Sequence, residues 1–297
     1  MIADPQITTV LIAGAGSIGV GVAKSFAKAG FSTQVLSRNP ARLKGELDGV
    51  QLLDKLPARA PDLIAESIPE IPDLKRRLYA DVEEAYGGAS IIATNSSSLS
   101  LPDLARDLRY PKQFMGMHWF YPADSSEFVE VIRTLDTDAS AVERVTSALR
   151  KCGITPVVLN RPVIGALFNR LQHAILREAY YLIDEGITTA EEIDAMAKRF
   201  FAPRMCITGL LEQKDISGLD THARAQRSIV PDLCHDRIPS KCLQKLYEEG
   251  HFGLKSGSGF YDWSGADPVR VRATTGEKVA RIRALMKEME SDADMRK

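Results

Sequence analysis

The stretch Thr8-Thr-Val-Leu-Ile-Ala13-Gly14-Ala-Gly16-Ser-Ile-Gly19-Val-Gly-Val-Ala-Lys-Ser-Phe-Ala-Lys-Ala-Gly30 decides the fold class. Residues 8–13 are a short, β-rich apolar run, and residues 20–30 carry a helical stripe at Val22, Phe26 and Ala27 that stops at a glycine. Between them lies GxGxxG. On its own that pattern is weak, but between a strand and a helix it carries a mechanism. Gly14 permits the tight turn, Gly16 lets backbone approach a pyrophosphate, and Gly19 lets helix and sheet pack closely. Gly14, Gly16, Ser17, Ile18 and Gly19 are therefore candidate cofactor contacts. The bland alternative is an ordinary glycine-rich strand-to-helix turn.

Downstream the chain repeats the alternation. Pro61–Ile68 and Ala89–Thr94 read as strands around a helix over 73–85, and Pro102 opens a short helix through Asp107. Gln113–Met117 and Phe128–Ile132 read as further strands. Repeated strand–helix units predict an α/β fold, a doubly wound Rossmann-type parallel sheet. After Leu159 the pattern becomes helical. A long helix spans 165–184, Thr189 and Glu192 form a capping box, helical patterns cover parts of 219–249, and a charged amphipathic tail covers 276–290. The expected organisation is a dinucleotide-binding domain over 1–160 and an all-α domain over 161–297, with the boundary near Asn160–Pro162 and a substrate in the cleft between them.

Composition narrows the partners. Across 297 residues, 44% hydrophobic and 26% charged, the net charge of −1 gives no general attraction to nucleic acid or to a membrane surface. No stretch has the apolar length of a membrane span, and Met1-Ile-Ala-Asp-Pro-Gln6 has no cleavable signal pattern. Cys152, Cys206, Cys234 and Cys242 form no CxxC pair, and Cys234-His235 with Cys242 lacks a second ligand pair, so no metal is expected. A reducing, cytoplasmic setting follows as the default.

Two places carry chemistry. The strand over 32–36 ends in Ser37-Arg38-Asn39-Pro40, where an NAD site usually places a carboxylate on the adenosine ribose. Ser37, Arg38 and Arg42 would instead bind a 2′-phosphate, so NADP is favoured, with NAD as the alternative if the arginines are merely solvated. The second place is Gly116-Met-His-Trp-Phe-Tyr-Pro122, with Glu130 twelve residues beyond His118. Alternation in 128–132 puts Glu130 on the face of Phe128 and Ile132, where a carboxylate needs a partner. His118 with Glu130 is either a core ion pair or a proton relay. Open sheets of this kind bind ligands beyond the carboxyl ends of their strands, where His118 and Asn95-Ser-Ser-Ser98 both lie, and that position favours the relay.

Taken together these residues resemble the L-3-hydroxyacyl-CoA dehydrogenase family over residues 8–263. The motifs are GAGSIG at 14–19, IAESIPE at 64–70, TNSSSL at 94–99, GMHWFYP at 116–122 with Glu130, GALFNR at 165–170, GLLEQKDISGLD at 209–220 and GLKSGSGFYDW at 253–263. The resemblance implies that His118 is the acid/base, Glu130 its partner, Ser97 the hydroxyl that binds the reacting oxygen and Asn169 the amide beside it. It implies Glu70 and Lys75 at the nicotinamide half of the cofactor and a homodimer through the helical domain, while Asn95, directly after its strand, is a further candidate cofactor contact. Each helper has an ordinary alternative: Ser97 as a turn residue, Lys75 as a solvated lysine, Asn169 as an interhelical hydrogen bond.

The chain also departs from the family pattern. Tyr121-Pro122 replaces Asn-Pro, Ile164-Gly165-Ala166 replaces Pro-Gly-Phe, and residues 37–66 lack the helical hairpin that holds the nucleotide part of CoA. The expected substrate is thus a small L-3-hydroxy acid or related carbonyl compound, with an acyl thioester as the alternative. His173 and Arg177 follow Asn169 at i+4 and i+8, and with Arg204 they are candidate substrate contacts, a polar interface being the other reading. Lys214 and Asp124 are weaker candidates. A ketopantoate reductase-like enzyme or a non-catalytic nucleotide-binding protein would leave His118–Glu130 unexplained.

Overall fold

The computed structural model describes residues 6–292, so Met1–Pro5 of the segment read for a targeting signal lie outside the described residues. The chain divides into two compact units, Met1–Leu171 and Gln172–Lys297.

The first unit is built on an eight-stranded sheet. Its strands are β1 (Thr9–Ala13), β2 (Ser32–Leu36), β3 (Gln51–Leu53), β4 (Leu63–Glu66), β5 (Ile91–Thr94), β6 (Phe114–His118), β7 (Phe128–Arg133) and β8 (Thr155–Leu159), in the order β3-β2-β1-β4-β5-β6-β7-β8. Every pair is parallel except β6–β7. The helices are α1 (Ser17–Lys28), α2 (Pro72–Tyr86), α3 (Leu101–Ala105) and α4 (Ala139–Lys151), with the start of α5 (Phe168–Asp184). β4, β5 and β6 are buried along their whole length, as expected of central strands covered on both faces.

Side-chain alternation builds two cores. Met115, Met117, Val129 and Val131 pack with Phe26, Val145 and Leu149 on one face; Phe114 and Ile132 pack with Tyr79, Leu101 and Leu104 on the other. Each such side chain contributes about 1.5–3 kcal/mol on burial. His118 and Glu130 therefore belong to the face of Phe114 and Ile132, as the alternation predicts, although Phe128 at the mouth of β7 is exposed. The reversal of β7 against a parallel sheet, the edge strand β3 and the helix α4 go beyond the sequence reading. The unit boundary falls about ten residues after Asn160–Pro162. The segment between belongs with the sheet: Ala166 is buried in the second core, and the N–H of Gly165 donates to the Ser97 carbonyl.

The second unit is helical. It holds the remainder of α5, then α6 (Ala190–Met196), α7 (Ala202–Thr208), α8 (Glu212–Ser217), α9 (Leu219–Ile229), α10 (Lys241–Glu248) and α11 (Pro268–Asp292). The capping box at Thr189 and Glu192 is present. A π-helical turn over Ala197–Phe201 joins α6 to α7, where Pro203 supplies no N–H. Widening the turn there accommodates the missing hydrogen bond without ending the helix. Asp184, the last residue of α5, caps α10 by accepting from the N–H groups of Lys241 and Cys242 at 2.9 and 2.7 Å. Among the described residues of this unit only Cys234 is buried. No helix of the described residues is long and apolar enough to cross a membrane.

Candidate active site

The glycine turn is fixed by the backbone around it. Gly14 sits at φ 114°, and a Cβ there would lie 2.5 Å from the carbonyl oxygen of Ser67. A Cβ on Gly19 would collide with the carbonyl of Gly14. Around Gly16 no protein atom lies within 4 Å of where a Cβ would stand. Gly14 and Gly19 are thus demanded by the fold, whereas Gly16 leaves room for a group to approach the backbone. The start of α1 has no side-chain cap and no acidic residue in its first turn. The N–H groups of Ser17, Ile18 and Gly19, in the first turn of α1, have no intrahelical acceptor, so the turn fits a pyrophosphate. Gly21, to which no role was assigned from sequence, packs on the turn Ala123–Ser125, where a Cβ would meet Ala123 and Asp124 at 2.9 Å. This gives Asp124 a structural neighbour on α1.

His118 ends β6 directly opposite Glu130 in the antiparallel register. Its Nδ1 lies 2.6 Å from Glu130 Oε2, both side chains nearly fully buried. The other oxygen, Oε1, accepts the N–H groups of Leu167 and Phe168 at 2.8 Å each, at the start of α5. Burial opposes ionisation of Glu130. The hydrogen bond from His118 and the two N–H donors outweigh it and hold the carboxyl below its usual range. A carboxylate only accepts, so Nδ1 is the protonated nitrogen and the neutral ring presents its lone pair at Nε2. The ring stands edge-on to Phe120 at 4.8 Å, and Phe120 stands edge-on to Phe168 at 5.0 Å.

Ser97 and Asn169 are drawn to the same rim. Gly165 donates to the Ser97 carbonyl at 3.2 Å, and Asn169 follows Phe168 on α5. Neither the Ser97 hydroxyl nor the Asn169 amide makes an intramolecular hydrogen bond among the described residues, so both are available to an external oxygen. The loop bearing Ser97 is held from behind by Glu70, whose Oε1 accepts the Ser96 hydroxyl (2.5 Å), the N–H groups of Ser97 and Ser98 (3.2 Å each) and the Ser98 hydroxyl (3.0 Å). Desolvation is overcome by these bonds and by Lys75, which together keep Glu70 ionised below the usual carboxylate range.

Lys75 is 1% exposed, far from a solvated lysine. Its Nζ lies 2.6 Å from Glu66 and 3.3 Å from Glu70. Glu66, the last residue of β4, also accepts from the N–H of Ile68 (2.8 Å) and the hydroxyls of Tyr79 (2.7 Å) and Thr94 (2.6 Å). Burial and the charge of Glu66 push the Tyr79 phenol far up, so it stays a donor. Glu66, Tyr79 and Thr94 go beyond the sequence reading, though a carboxylate within an apolar strand is the signal that Glu130 also gives. Asn95 accepts the N–H of Trp119 through Oδ1 at 2.7 Å, tying the end of β5 to that of β6.

The remaining candidates lie on the surface. Ser37 at the end of β2 accepts the Asn39 N–H through its hydroxyl at 3.2 Å. Arg38 and Arg42 are exposed, and their guanidinium groups make no hydrogen bond or ion pair among the described residues. In the second unit His173 and Arg177 are exposed on α5, Arg204 stacks over Phe200 at 4.7 Å, and Lys214 is half-buried in α8. Among the described residues no group of three or more His, Cys, Asp or Glu side chains is placed to hold a metal.

A doubly wound sheet with a phosphate-ready turn after β1 and a carboxylate-held histidine at the end of β6 defines a dinucleotide-binding dehydrogenase. Comparison with known proteins narrows the class. Residues 53–162 match "3-hydroxyacyl-CoA dehydrogenase, NAD binding domain" and residues 165–263 match "3-hydroxyacyl-CoA dehydrogenase, C-terminal domain". A "Probable 3-hydroxybutyryl-CoA dehydrogenase" of Deinococcus radiodurans is 30% identical over 85% of this chain and 99% of its own. The 5-formyl-3-hydroxy-2-methylpyridine 4-carboxylate 5-dehydrogenase of Mesorhizobium japonicum is 26% identical over 95% of this chain and 99% of its own. A crystal structure of an enzyme of that description, an NAD+-dependent dismutase, has a TM-score of 0.86 at 24% identity, covering 96% of this chain and 99% of that one. The chain belongs to the 3-hydroxyacyl-CoA dehydrogenase family, whose members are dehydrogenases of CH–OH groups with an NAD-binding domain.

Proposed function

We propose that the protein interconverts a secondary alcohol and a ketone on a small L-3-hydroxy acid or related carbonyl compound. The observation that carries this reading is the 2.6 Å contact between Glu130 and His118 Nδ1, which leaves Nε2 as the base. In oxidation the substrate hydroxyl gives its proton to Nε2 while Ser97 and Asn169 orient the oxygen. Glu130 stabilises the imidazolium that forms. When bound, the nicotinamide accepts or returns the hydride.

Two things support a compact substrate. Between β2 and β4 the chain has only a four-residue 3₁₀ turn and the three-residue β3, with no helical hairpin to hold a CoA nucleotide. The Mesorhizobium relative, similar over nearly the whole chain, is named for a pyridine carboxylate. The second reading, an acyl-thioester dehydrogenase, is favoured by the names of the Deinococcus and other relatives. Initial rates on 3-hydroxybutanoate and on its CoA thioester separate the two, and turnover of the thioester alone would overturn the small-acid reading. Loss of turnover in His118→Ala, about 10²–10⁴-fold, is expected on either substrate.

For the cofactor, NAD is supported by the family and by the crystal-structure relative. We propose in addition a preference for NADP, supported by the two unpaired arginines after β2 and the absence of a carboxylate at Ser37. Arg38→Asp is expected to weaken NADP binding far more than NAD binding, and equal effects would refute it. The second unit exposes Phe200, Phe201 and Leu211 at 59%, 59% and 82% while burying almost nothing among its described residues. Surface of this kind marks an association face, which supports a homodimer through the helical unit. Light scattering that gives the monomer mass at micromolar concentration would refute it.

A further inference from the structure

Beside the reacting histidine stand aromatic rings that proton transfer does not use. Phe120 lies edge-on to His118, Phe168 lies edge-on to Phe120, and Phe168 is nevertheless 50% exposed. A large apolar side chain left half in solvent at the edge of a reactive group has surface to offer a ligand. The position of Phe168 is not incidental. Ala166 is buried at φ 49°, a left-handed conformation that costs a non-glycine residue about 1–2 kcal/mol. That turn brings the next two N–H groups, of Leu167 and Phe168, onto Glu130 Oε1. One carboxylate thus holds both the catalytic imidazole through Oε2 and the backbone that carries the Phe168 ring through Oε1. Tyr121, 74% exposed, follows Phe120 in the same segment.

We infer that Phe168 with Phe120 forms a specificity wall for a substrate carrying a flat ring beside the reacting carbon. This rests on the dehydrogenase reading above and names its substrate class. A chain with no hairpin between β2 and β4 lacks that remote source of binding energy, so contacts near the reacting centre carry more of it. Aromatic rings offer a substrate ring offset or edge-on contact that an aliphatic group of similar size cannot match. The reaction is the balanced oxidation of an aryl-bearing secondary alcohol. Its carbon loses hydride to the nicotinamide, its hydroxyl loses a proton to His118, and a ketone, reduced cofactor and one proton result.

The test uses a matched pair, 3-hydroxy-3-phenylpropanoate and 3-hydroxybutanoate, which share the 3-hydroxy acid and differ in phenyl against methyl. The measured quantity is the ratio of their kcat/KM values, which does not depend on the fraction of enzyme that is correctly folded. The full chain is expected to favour the phenyl compound by about tenfold or more, consistent with one aromatic pair plus the added apolar area. Phe168→Ala should bring the ratio near unity, and Phe168→Tyr should restore most of it. A ratio of one or less in the parent, or an unchanged ratio in Phe168→Ala, overturns the wall. Equilibrium binding of phenylacetate, which cannot be oxidised by this route, is measured alongside. Binding lost in Phe168→Ala without turnover of either hydroxy acid would keep the wall and refute the small-hydroxy-acid reading. Phenylacetate binding equal in the parent and in Phe168→Ala, or absent from both, overturns the wall.

Discussion

Replacing Glu130 by Gln keeps the shape of the side chain and removes one charge. The carboxylate receives three N–H donors on two oxygens, from His118 on Oε2 and from Leu167 and Phe168 on Oε1. An amide has only one acceptor oxygen for the three. If that oxygen faces His118, its NH₂ group points at two backbone donors in a buried site, and each unsatisfied donor costs about 1–3 kcal/mol. If it faces Leu167 and Phe168, only the histidine contact changes, so this orientation wins by count. The NH₂ group then faces Nδ1 and requires a lone pair there, which moves the ring proton to Nε2, the wrong nitrogen for a base. The imidazolium formed in oxidation also loses a charge-assisted bond worth about 1.5–3 kcal/mol. Forcing the wrong tautomer in a serine protease triad costs about 10⁴-fold, which sets the upper end of the range. The expected result is a fall in kcat of about 10²–10⁴-fold with KM changed less than about threefold, because the interaction is made with the transition state. Initial rates by nicotinamide absorbance measure both. A kcat within about threefold of the parent would falsify the assignment of Glu130 as the partner of the base.

Other perturbations test the surrounding structure. Lys75→Met leaves two carboxylates without their shared cation and should lower unfolding free energy by about 3–5 kcal/mol in urea. Combining it with Glu66→Gln should recover part of that loss, and a cost under about 1 kcal/mol for Lys75→Met alone would remove Glu66–Lys75 from the stabilising core. Gly14→Ala places a Cβ 2.5 Å from the Ser67 carbonyl at φ 114° and should cost about 1–3 kcal/mol and weaken cofactor binding; an unchanged melting temperature would contradict the turn geometry. Asp62 has its carboxyl lowered: burial raises it, but the N–H and hydroxyl donors of Thr8 and Thr9 outweigh that. Its stabilisation is therefore present above the unfolded value near 3.9 and lost as pH falls through the folded one. The stability gap between the parent and Asp62→Asn should hold from neutral to about pH 4 and shrink below it, and a gap that widens in acid would reverse the assignment.

The glycine turn, β2 and the His118–Glu130 pair are legible in the sequence because each is a local pattern under a hard physical constraint. A strand running into GxGxxG admits few backbones, and a carboxylate on an apolar face must find a partner. Other features needed information that local pattern does not carry. Alternation tells which face Glu130 occupies but not which way β7 runs. The three residues of β3 are too few for a period to emerge. The helix α4 was legible in principle, with Asp138 as its cap and a stripe at Val142, Val145 and Leu149. The burial of Lys75 was not legible, since a lysine on an amphipathic helix is ordinarily solvated and only the tertiary meeting of α2 with the end of β4 supplies Glu66. The exposed aromatic residues of the second unit are a different case, because they acquire meaning only once their failure to bury is seen.

The antiparallel strand is what brings two residues scattered in sequence into contact. In a parallel pair, equivalent residues are offset by slanted hydrogen bonds, and a strand following β6 in that sense would carry its chain away from the rim before reaching residue 130. Because β7 reverses, its first residues descend from the rim on which β6 ends, and Glu130 falls directly across from His118 with both side chains on one face. The reversal also leaves an edge for β8, which runs parallel to β7, so the chain leaves the sheet at Leu159 and must climb back before α5 can begin. That return passes the Ser97 carbonyl at Gly165 and delivers the N–H groups of Leu167 and Phe168 to the free oxygen of Glu130. A single topological choice therefore fixes the tautomer of His118, the start of the helix bearing Asn169 and the placement of the residue proposed to select the substrate. Glu130→Ala, which removes both Oε1 contacts, should then disturb selectivity as well as rate, whereas Glu130→Gln, which keeps them, and substitutions at Ser97 should lower the rate on both hydroxy acids and leave their ratio unchanged.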